Sequence, residues 1–171
     1  KLFATQGYNA TSMEQIAELS EVSVGTVYFY FKNKEDLLIK LLDDIAYLLR
    51  DFVGKVFGQS EPSLEGFRKA GLLFFEDFCL KHPEKTSILL RETVGHGPEV
   101  EQRRQKTFHY FIRDIQNALI GISNQTGIKF KSGFSSQVIA VSVVGMFERV
   151  AYQYIIWENQ QEDLTTIAED A

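Results

Sequence analysis

The sequence predicts an all-α protein with a small helix-turn-helix domain at its amino end and a larger helical domain after it. Two short helical patterns separated by a tight turn lie within residues 11–31, and apolar residues recur at three- and four-residue spacing through most of the rest. We expect the domains to cover residues 1–48 and 49–171.

The first motif helix has a start signal followed by an apolar side. Thr11 precedes Glu14 by three residues, which is the spacing of a capping box, in which each side chain bonds a free backbone N–H. The apolar side that follows is one or two turns long and consists of Met13, Ile16, Ala17 and Leu19.

Ser23 is the expected N-cap of a second short helix that runs to about Phe31. At about 100° per residue, one face should pack on the first helix. A solvent-facing Phe is a poor choice unless another surface covers it, and Gly in a helix costs roughly 1 kcal/mol against Ala. Because the second helix of a helix-turn-helix lies in the DNA major groove, double-stranded DNA is the expected cover. The packing face is Val24, Val27 and Phe31; the outward face is Gly25, Thr26, Phe29 and Tyr30, with Tyr28 on the flank.

Lys34 lies in the first turn of the next predicted helix, after Asn33 as its N-cap. A cation beside the free N–H groups of a helix start makes a good phosphate clamp. The alternative is an ordinary solvated lysine. The neighbouring helix pair favours the clamp.

The segment GYNATSMEQIAELSEVSVGTVYFYFKNKEDLL, residues 7–38, resembles the DNA-binding domain of the TetR family of bacterial transcriptional repressors. The rest of the chain resembles that family only in being helical. The resemblance implies that Thr11 and Ser12 touch phosphate from the start of the first motif helix. It also implies two further groups of DNA contacts. Base edges would face Val24, Gly25, Thr26 and Phe29, and the DNA backbone would be held by Tyr28, Tyr30 and Lys34.

The segment departs from the family pattern in two ways. Glu21 stands in the turn where the pattern usually has Gly, so either Glu21 is left-handed, at a cost of about 1 kcal/mol, or the turn differs slightly. The chain also starts near the end of the family's first helix, so we expect that helix to be truncated here.

Beyond the motif, apolar spacing and Gly or Pro breaks predict a succession of helices. They are expected at 37–56, 64–82, 86–94, 99–123 and 135–159, with a short helix after residue 162, a break at 58–62 and a loop at 124–133.

The last long helix is apolar nearly all round, because its apolar residues are too many to share one face. They are Val138, Ile139, Val141, Val143, Val144, Phe147, Val150, Ala151 and Ile155. We expect one side to pack in its own domain and the other against a second subunit, giving a homodimer that reads two half-sites. A helix central to its own domain is the alternative. Polar residues such as Gln137 interrupt the stretch, so a membrane span is not expected.

Fourteen Phe and seven Tyr suggest an apolar cavity for a small hydrophobic effector, although core packing is the default for each ring. The resemblance, rather than the rings, favours a cavity. The candidate ligand-binding residues are Phe75, Phe78, Phe108, Phe111 and Tyr152. The polar groups considered for orienting an effector are Arg91, His109, Tyr110, Glu148, Arg149, Tyr152 and Trp157.

Composition indicates a soluble cytoplasmic protein, and its net charge of −5 argues only weakly against DNA, since residues 1–34 hold three Lys and three Glu. No catalytic, metal or cofactor motif is present in the sequence, so we expect a regulator and not an enzyme. Two alternatives stay open. One is a DNA-binding protein of the same fold that is controlled by protein partners without a small effector. The other is a helical enzyme or lipid-binding module.

Overall fold

The computed structural model describes residues 1–57, 63–158 and 166. All regular structure in these ranges is helical, which confirms the predicted fold class. The α-helices are α1 (Leu2–Gln6), α2 (Met13–Leu19), α3 (Val24–Tyr30), α4 (Lys34–Phe57), α5 (Leu64–Leu72), α6 (Pro83–Ser87), α7 (Pro98–Thr126) and α8 (Ser135–Ala151).

Three helices continue as π-helical segments, which the sequence analysis did not predict. They are Leu73–Leu80 after α5, Ile88–Glu92 after α6 and Tyr152–Trp157 after α8. In a π-helix each N–H bonds the carbonyl five residues back, so side chains advance by a smaller angle than in an α-helix. Such segments are frequent at functional sites, and these three lie in the larger helical part.

The helix-turn-helix has its own small core. Met13, Ala17 and Val27 are buried together, and Val24 and Phe31 pack against them. This confirms the predicted packing face of α3. The turn between the helices contains Glu21 at φ 55°, the left-handed conformation that the departure from Gly predicted.

Helix α4 connects the helix-turn-helix to the rest of the protein. Its Leu38, Leu42 and Ile45 are fully buried in the main core, where they share one cluster with Phe75 and Phe78. The helix is continuous from Lys34 to Phe57, so the predicted boundary at residue 48 falls within it. The division into residues 1–48 and 49–171 stays a prediction.

Helix α8 packs along α7 and buries its small residues Ser136, Ala140 and Ala151, while Phe147 and Val150 pack partly buried against the main core. Larger residues on its other side lie at the surface of the single chain. We call this surface the α8 apolar face; it consists of Val138, Ile139, Val141 and Met146.

Within the described ranges, one helical stretch, Ser135–Trp157, is long and apolar enough to cross a membrane, with a mean hydropathy of 1.3. Length and composition alone are weak evidence, because the core helix of a soluble protein meets the same criteria. Two charged residues, Glu148 and Arg149, lie within the stretch. Both make polar contacts inside the chain, to Arg104 and Gln153.

The remaining helix predictions are largely confirmed, with ends displaced by a few residues. The predicted helix at 86–94 begins earlier, at Pro83, because proline is favoured in the first helical turn. Helix α7 extends to Thr126 and ends at Gly127, which is left-handed at φ 72°. The predicted break at 58–62 and the short helix after residue 162 lie outside the described ranges.

Candidate nucleic-acid interface and effector cavity

Helix α2 begins with a capping box one residue later than predicted. Ser12 Oγ accepts from the Gln15 N–H at 3.2 Å, and the Gln15 side chain accepts from the Ser12 N–H at 2.8 Å. The predicted pair of Thr11 and Glu14 was therefore wrong. The two pairs have the same spacing. The hydroxyl that caps α2 is the one that the preceding loop leaves unburied.

Thr11 carries the buried hydroxyl, with only 2% of the residue exposed. Its Oγ1 donates to the Gly7 carbonyl at 2.8 Å, and its backbone N–H donates to the Tyr8 carbonyl at 3.3 Å. Thr11 therefore offers no free donor to a phosphate in this conformation, and we leave it out of the proposed DNA contacts. Ser12, which is partly exposed at the start of α2, keeps that role.

The outward face of α3 is bare. Phe29 is 81% exposed, and its ring meets Tyr30 edge-on at a centroid distance of 5.2 Å. Tyr28 and Tyr30 are exposed as well, and so are Gly25 and Thr26. Val24 is only partly exposed, because it packs on the small core below. Apart from Val24, the predicted reading face is available to another molecule.

Gly25 is not required by the packing of the chain itself. A Cβ added there would meet only Ser23 Oγ, at an ordinary contact distance of 3.7 Å. Ser23 caps α3 by accepting from the Thr26 N–H at 3.0 Å, as predicted. Since the fold leaves this room, the propensity cost of Gly25 favours close approach by an outside surface.

Lys34 lies in the first turn of α4, as predicted, and its ammonium group is bound within the chain. Its Nζ donates to the carbonyl oxygens of Tyr8 and Thr11, at 2.7 and 2.8 Å, and lies 4.4 Å from the Tyr8 ring centroid. The ammonium thus fastens the loop before α2 to the start of α4. Sequence reasoning missed this contact because its partners lie more than 20 residues away. Asn33 is the N-cap as predicted, since its side chain accepts from the Asp36 N–H at 2.8 Å.

A second set of contacts joins the helix-turn-helix to the larger part of the protein. The Tyr8 N–H donates to Glu92 Oε2 at 2.9 Å, and Arg91 Nε donates to Glu92 Oε1 at 2.6 Å. Arg91 also donates to the Ala4 carbonyl at 3.1 Å. We call Tyr8, Ala4, Arg91 and Glu92 the domain joint. Burial, and then the nearby charge of Glu35, raises the pKa of the Tyr8 hydroxyl.

A cavity of about 90 Å³ lies among α4, α5, α7 and α8. Of the five predicted ligand-binding residues, Phe108 and Phe111 line it. Phe75 and Phe78 do not, because both are fully buried in the main core. Tyr152 does not either, since it packs edge-on against Trp157. Sequence reasoning missed the other apolar lining residues, which include Phe67, Phe74, Val143 and Phe147.

Three charged residues complete the cavity wall, namely Arg50, Asp114 and Glu148. Arg50 Nε donates to Asp114 at 3.1 Å, and Arg104 donates to Glu148 at 3.1 Å. Among the polar groups considered from the sequence, Glu148 is the one that the structure places at the cavity. The lining is otherwise apolar, which suits a hydrophobic molecule with one polar end.

One π-helical segment, Ile88–Glu92, contributes residues both to the cavity wall and to the domain joint. Leu89 and Leu90 line the cavity. Arg91 and Glu92, which follow directly, hold the helix-turn-helix. The cavity wall and the domain joint are therefore adjacent in the chain.

With this geometry established, comparison with known proteins identifies the family. Residues 1–41 match the family described as bacterial regulatory proteins, tetR family. This amino-terminal segment belongs to the TetR family. The relatives of the chain are transcriptional regulators of the helix-turn-helix type.

One relative is the HTH-type transcriptional regulator YuxN of Bacillus subtilis, itself uncharacterized, which is 25% identical over 96% of this chain. The chain spans 56% of that relative's length. A solved structure from Syntrophomonas wolfei, assigned to the TetR family of transcriptional regulators, is 25% identical with a TM-score of 0.79, covering 99% of this chain and 86% of that one.

The fold is also shared with the transcriptional regulator FadR from Bacillus subtilis, solved in complex with stearoyl-CoA. The TM-score is 0.84 over 99% of this chain and 89% of that one, at 19% identity. At this identity the likeness shows that the two chains share a fold.

Proposed function

We propose that this chain is a cytoplasmic TetR-family repressor that binds a palindromic operator as a homodimer and is released by a small hydrophobic effector. The observation that carries DNA binding is the bare outward face of α3, where Phe29 is 81% exposed beside Gly25 and Thr26. Removing the exposed Phe29 ring from water is energetically favourable, and thymine methyl groups are suited to contacts with Phe and Thr.

The proposed contacts divide by the part of DNA that they meet. Gly25, Thr26 and Phe29 face base edges, with Val24 below them. Ser12, Tyr28 and Tyr30 contact the phosphate backbone. Lys34 acts indirectly, by holding the loop that positions Ser12. Because the reading face has no Arg, Asn or Gln, DNA shape supplies part of the specificity.

The homodimer is supported by the α8 apolar face. Its four large apolar residues lie together on one side of a helix whose small residues already pack inward. A second copy covers such a patch symmetrically and places two copies of α3 about 34 Å apart, one turn of DNA.

Effector control is supported by the cavity and its connection to the domain joint. A volume of about 90 Å³ is below the range of roughly 300–1,000 Å³ typical of small-molecule sites, so a long acyl chain enters only if the walls move apart. Leu89 and Leu90 move with the wall, and Arg91 and Glu92 follow them. The α4 residues Leu49 and Arg50 also line the cavity, so α4 carries the same displacement to the helix-turn-helix. Binding to the expanded state then disfavours the spacing that fits DNA.

Selection from a pool of random duplexes tests DNA binding whatever the operator sequence is. The wild-type protein should enrich a palindrome, and Phe29→Ala should weaken binding to it by about tenfold or more. Tyr47→Ala is the matched control, because Tyr47 is an equally bare aromatic residue, 78% exposed, on α4. Failure to enrich any sequence, or equal affinity of Phe29→Ala and wild type, would overturn the proposal.

A further inference from the structure

A second cavity, of about 220 Å³, lies between the helix-turn-helix and the end of the larger helical part. Ala4 and Thr5 of α1 form one wall, and Ile155 and Ile156 of the π-helical segment after α8 form another. We call it the joint cavity, because Arg91 of the domain joint also lines it. It shares no lining residue with the effector cavity.

Apart from Thr5, whose hydroxyl is bonded within α1, the polar residues that line the joint cavity form a single stripe. Glu84, Ser87 and Arg91 follow one another at spacings of three and four residues, so they fall on one face of α6 and its π-helical continuation. The stripe therefore runs from a carboxylate through a hydroxyl to a guanidinium, and the same cavity is also lined by the apolar residues Ile155 and Ile156.

Ser87 lacks a partner in this stripe. The residue is 8% exposed, and its hydroxyl makes no hydrogen bond within the described part of the chain. An unpaired buried hydroxyl is costly and rare in native proteins. Because Ser87 lines a cavity large enough for several heavy atoms, a bound molecule is a natural partner for it.

The charges beside Ser87 define what that molecule should carry. Arg91 uses two donors on Glu92 and Ala4, which leaves further N–H groups of its guanidinium for a ligand. The Glu84 carboxylate has no ion-pair or hydrogen-bond partner among the described residues, so it is able to take a cation. Glu84 would repel a ligand that carries only a negative charge, and Arg91 would repel one that carries only a positive charge. The ligand should therefore carry both charges.

We propose that the joint cavity binds a free α-amino acid with a branched aliphatic side chain. Its carboxylate pairs with Arg91, its ammonium pairs with Glu84, and Ser87 bonds to either group. Its side chain packs on Ile155 and Ile156. The bound molecule touches both α1 and the α6 segment, and so stabilises the joint as it stands. This site is independent of the proposed operator and hydrophobic effector.

L-leucine is the probe, measured by isothermal titration calorimetry and by the thermal unfolding midpoint of the full chain. We expect saturable binding of one leucine per chain and a rise in the midpoint with leucine concentration. Two analogues test the need for both charges: 4-methylpentanoate lacks the ammonium, and 3-methylbutylamine lacks the carboxylate. Each should bind at least about tenfold more weakly than leucine.

Variants test the assigned residues. Glu84→Gln should weaken leucine about tenfold or more and strengthen 4-methylpentanoate, because the repulsion between two carboxylates is removed. Lys85→Gln, next to it on α6 and outside the cavity, should bind leucine as wild type does. Ser87→Ala should weaken leucine and raise the midpoint of the unliganded protein, because it removes an unpaired buried group. No binding of leucine at about 10 mM, equal binding of leucine and 4-methylpentanoate, or full binding by Glu84→Gln would overturn the proposal.

Discussion

The backbone N–H of Tyr8 donates to the buried carboxylate of Glu92 at 2.9 Å, across 84 residues of sequence. The other oxygen of that carboxylate is held by Arg91 at 2.6 Å. A charged acceptor makes a stronger bond than a neutral one, and a buried position loses little of it to solvent. This bond therefore fixes the orientation of the helix-turn-helix relative to the α6 segment.

Replacing Glu92 should loosen this connection in graded steps. Glu92→Ala leaves the Tyr8 N–H and part of Arg91 without partners, so we expect a loss of about 1–3 kcal/mol in the free energy of unfolding. Glu92→Gln keeps an oxygen for Tyr8 and loses only the ion pair, so its loss should be smaller. Urea denaturation measures both. Equal losses in the two variants would mean that the Tyr8 bond contributes nothing.

Lys34→Met should lower the free energy of unfolding and should leave the salt dependence of DNA affinity nearly unchanged. Two bonds from its ammonium to loop carbonyls are lost, and we expect a cost of about 1.5–3 kcal/mol. Lys32→Met is the control at an exposed neighbouring lysine, with an expected change within about 0.5 kcal/mol. If Lys34 were instead a phosphate clamp, its removal would reduce the slope of log affinity against log salt by about one and leave stability intact.

Glu21→Gly should stabilise the protein. Glu21 adopts φ 55°, a conformation that costs a residue with a Cβ about 1 kcal/mol and costs Gly nothing. We expect a gain of roughly 0.5–1 kcal/mol in urea denaturation. The matched control is Glu18→Gly, an exposed position within α2, where the same change should cost about 1 kcal/mol. A loss at both positions would contradict the strain assigned to Glu21.

Cys79 should be inert in the native protein and should couple stability to alkaline pH. It is 1% exposed, and burial raises the pKa of its thiol from 9.0 to about 12, opposed by a smaller lowering from Thr86. The folded state therefore holds a proton that the unfolded chain has lost. This contribution to stability is complete below pH 9 and disappears as the pH rises toward 12.

Two measurements check the prediction for Cys79. Iodoacetamide at pH 8 should leave the native thiol unmodified and react fully in denaturant. Cys79→Ala should flatten the decline of stability above pH 9, although it lowers stability at neutral pH by opening core space. Rapid modification of the native protein would show that the thiol is accessible.

Val141→Asp should dissociate the proposed homodimer. A carboxylate buried at a subunit interface without a partner is strongly unfavourable, so we expect the dimer dissociation constant to rise by at least about a hundredfold. Leu64→Asp places the same charge at an exposed apolar residue of α5 and should leave association unchanged. Sedimentation velocity at micromolar concentration distinguishes them. A wild-type monomer, or equal behaviour of the two variants, would exclude the α8 apolar face as the interface.

Local patterns predicted the helices and the helix-turn-helix, because capping and periodicity act within a few residues. They indicated that Val27 is buried and that Phe29 is exposed, and both are confirmed. The same patterns did not decide between Thr11 and Ser12 as the cap of α2. That choice depends on the preceding loop, whose carbonyls take the Thr11 hydroxyl and the Lys34 ammonium.

The cavity was the least predictable part, since every aromatic residue on the central helices has the same apolar periodicity. Phe75 and Phe74 are neighbours in one π-helical segment, yet one is fully buried in the core and the other lines the cavity. The direction in which each of these two rings points depends on the smaller angular step of the π-helix. No motif in the sequence marks where the π-helical segment begins. The domain joint was unpredictable for a related reason, because Glu92 and Tyr8 are distant in sequence.

The uninterrupted course of α4 has a practical consequence for anyone wishing to study operator recognition in isolation. A fragment cut after residue 48 would end in mid-helix and strip Leu38, Leu42 and Ile45 of the aromatic rings that now enclose them. Such a peptide should aggregate or unfold. Its failure to bind DNA would therefore not show that the intact protein fails to bind DNA. Spectroscopic work on recognition therefore calls for the whole polypeptide.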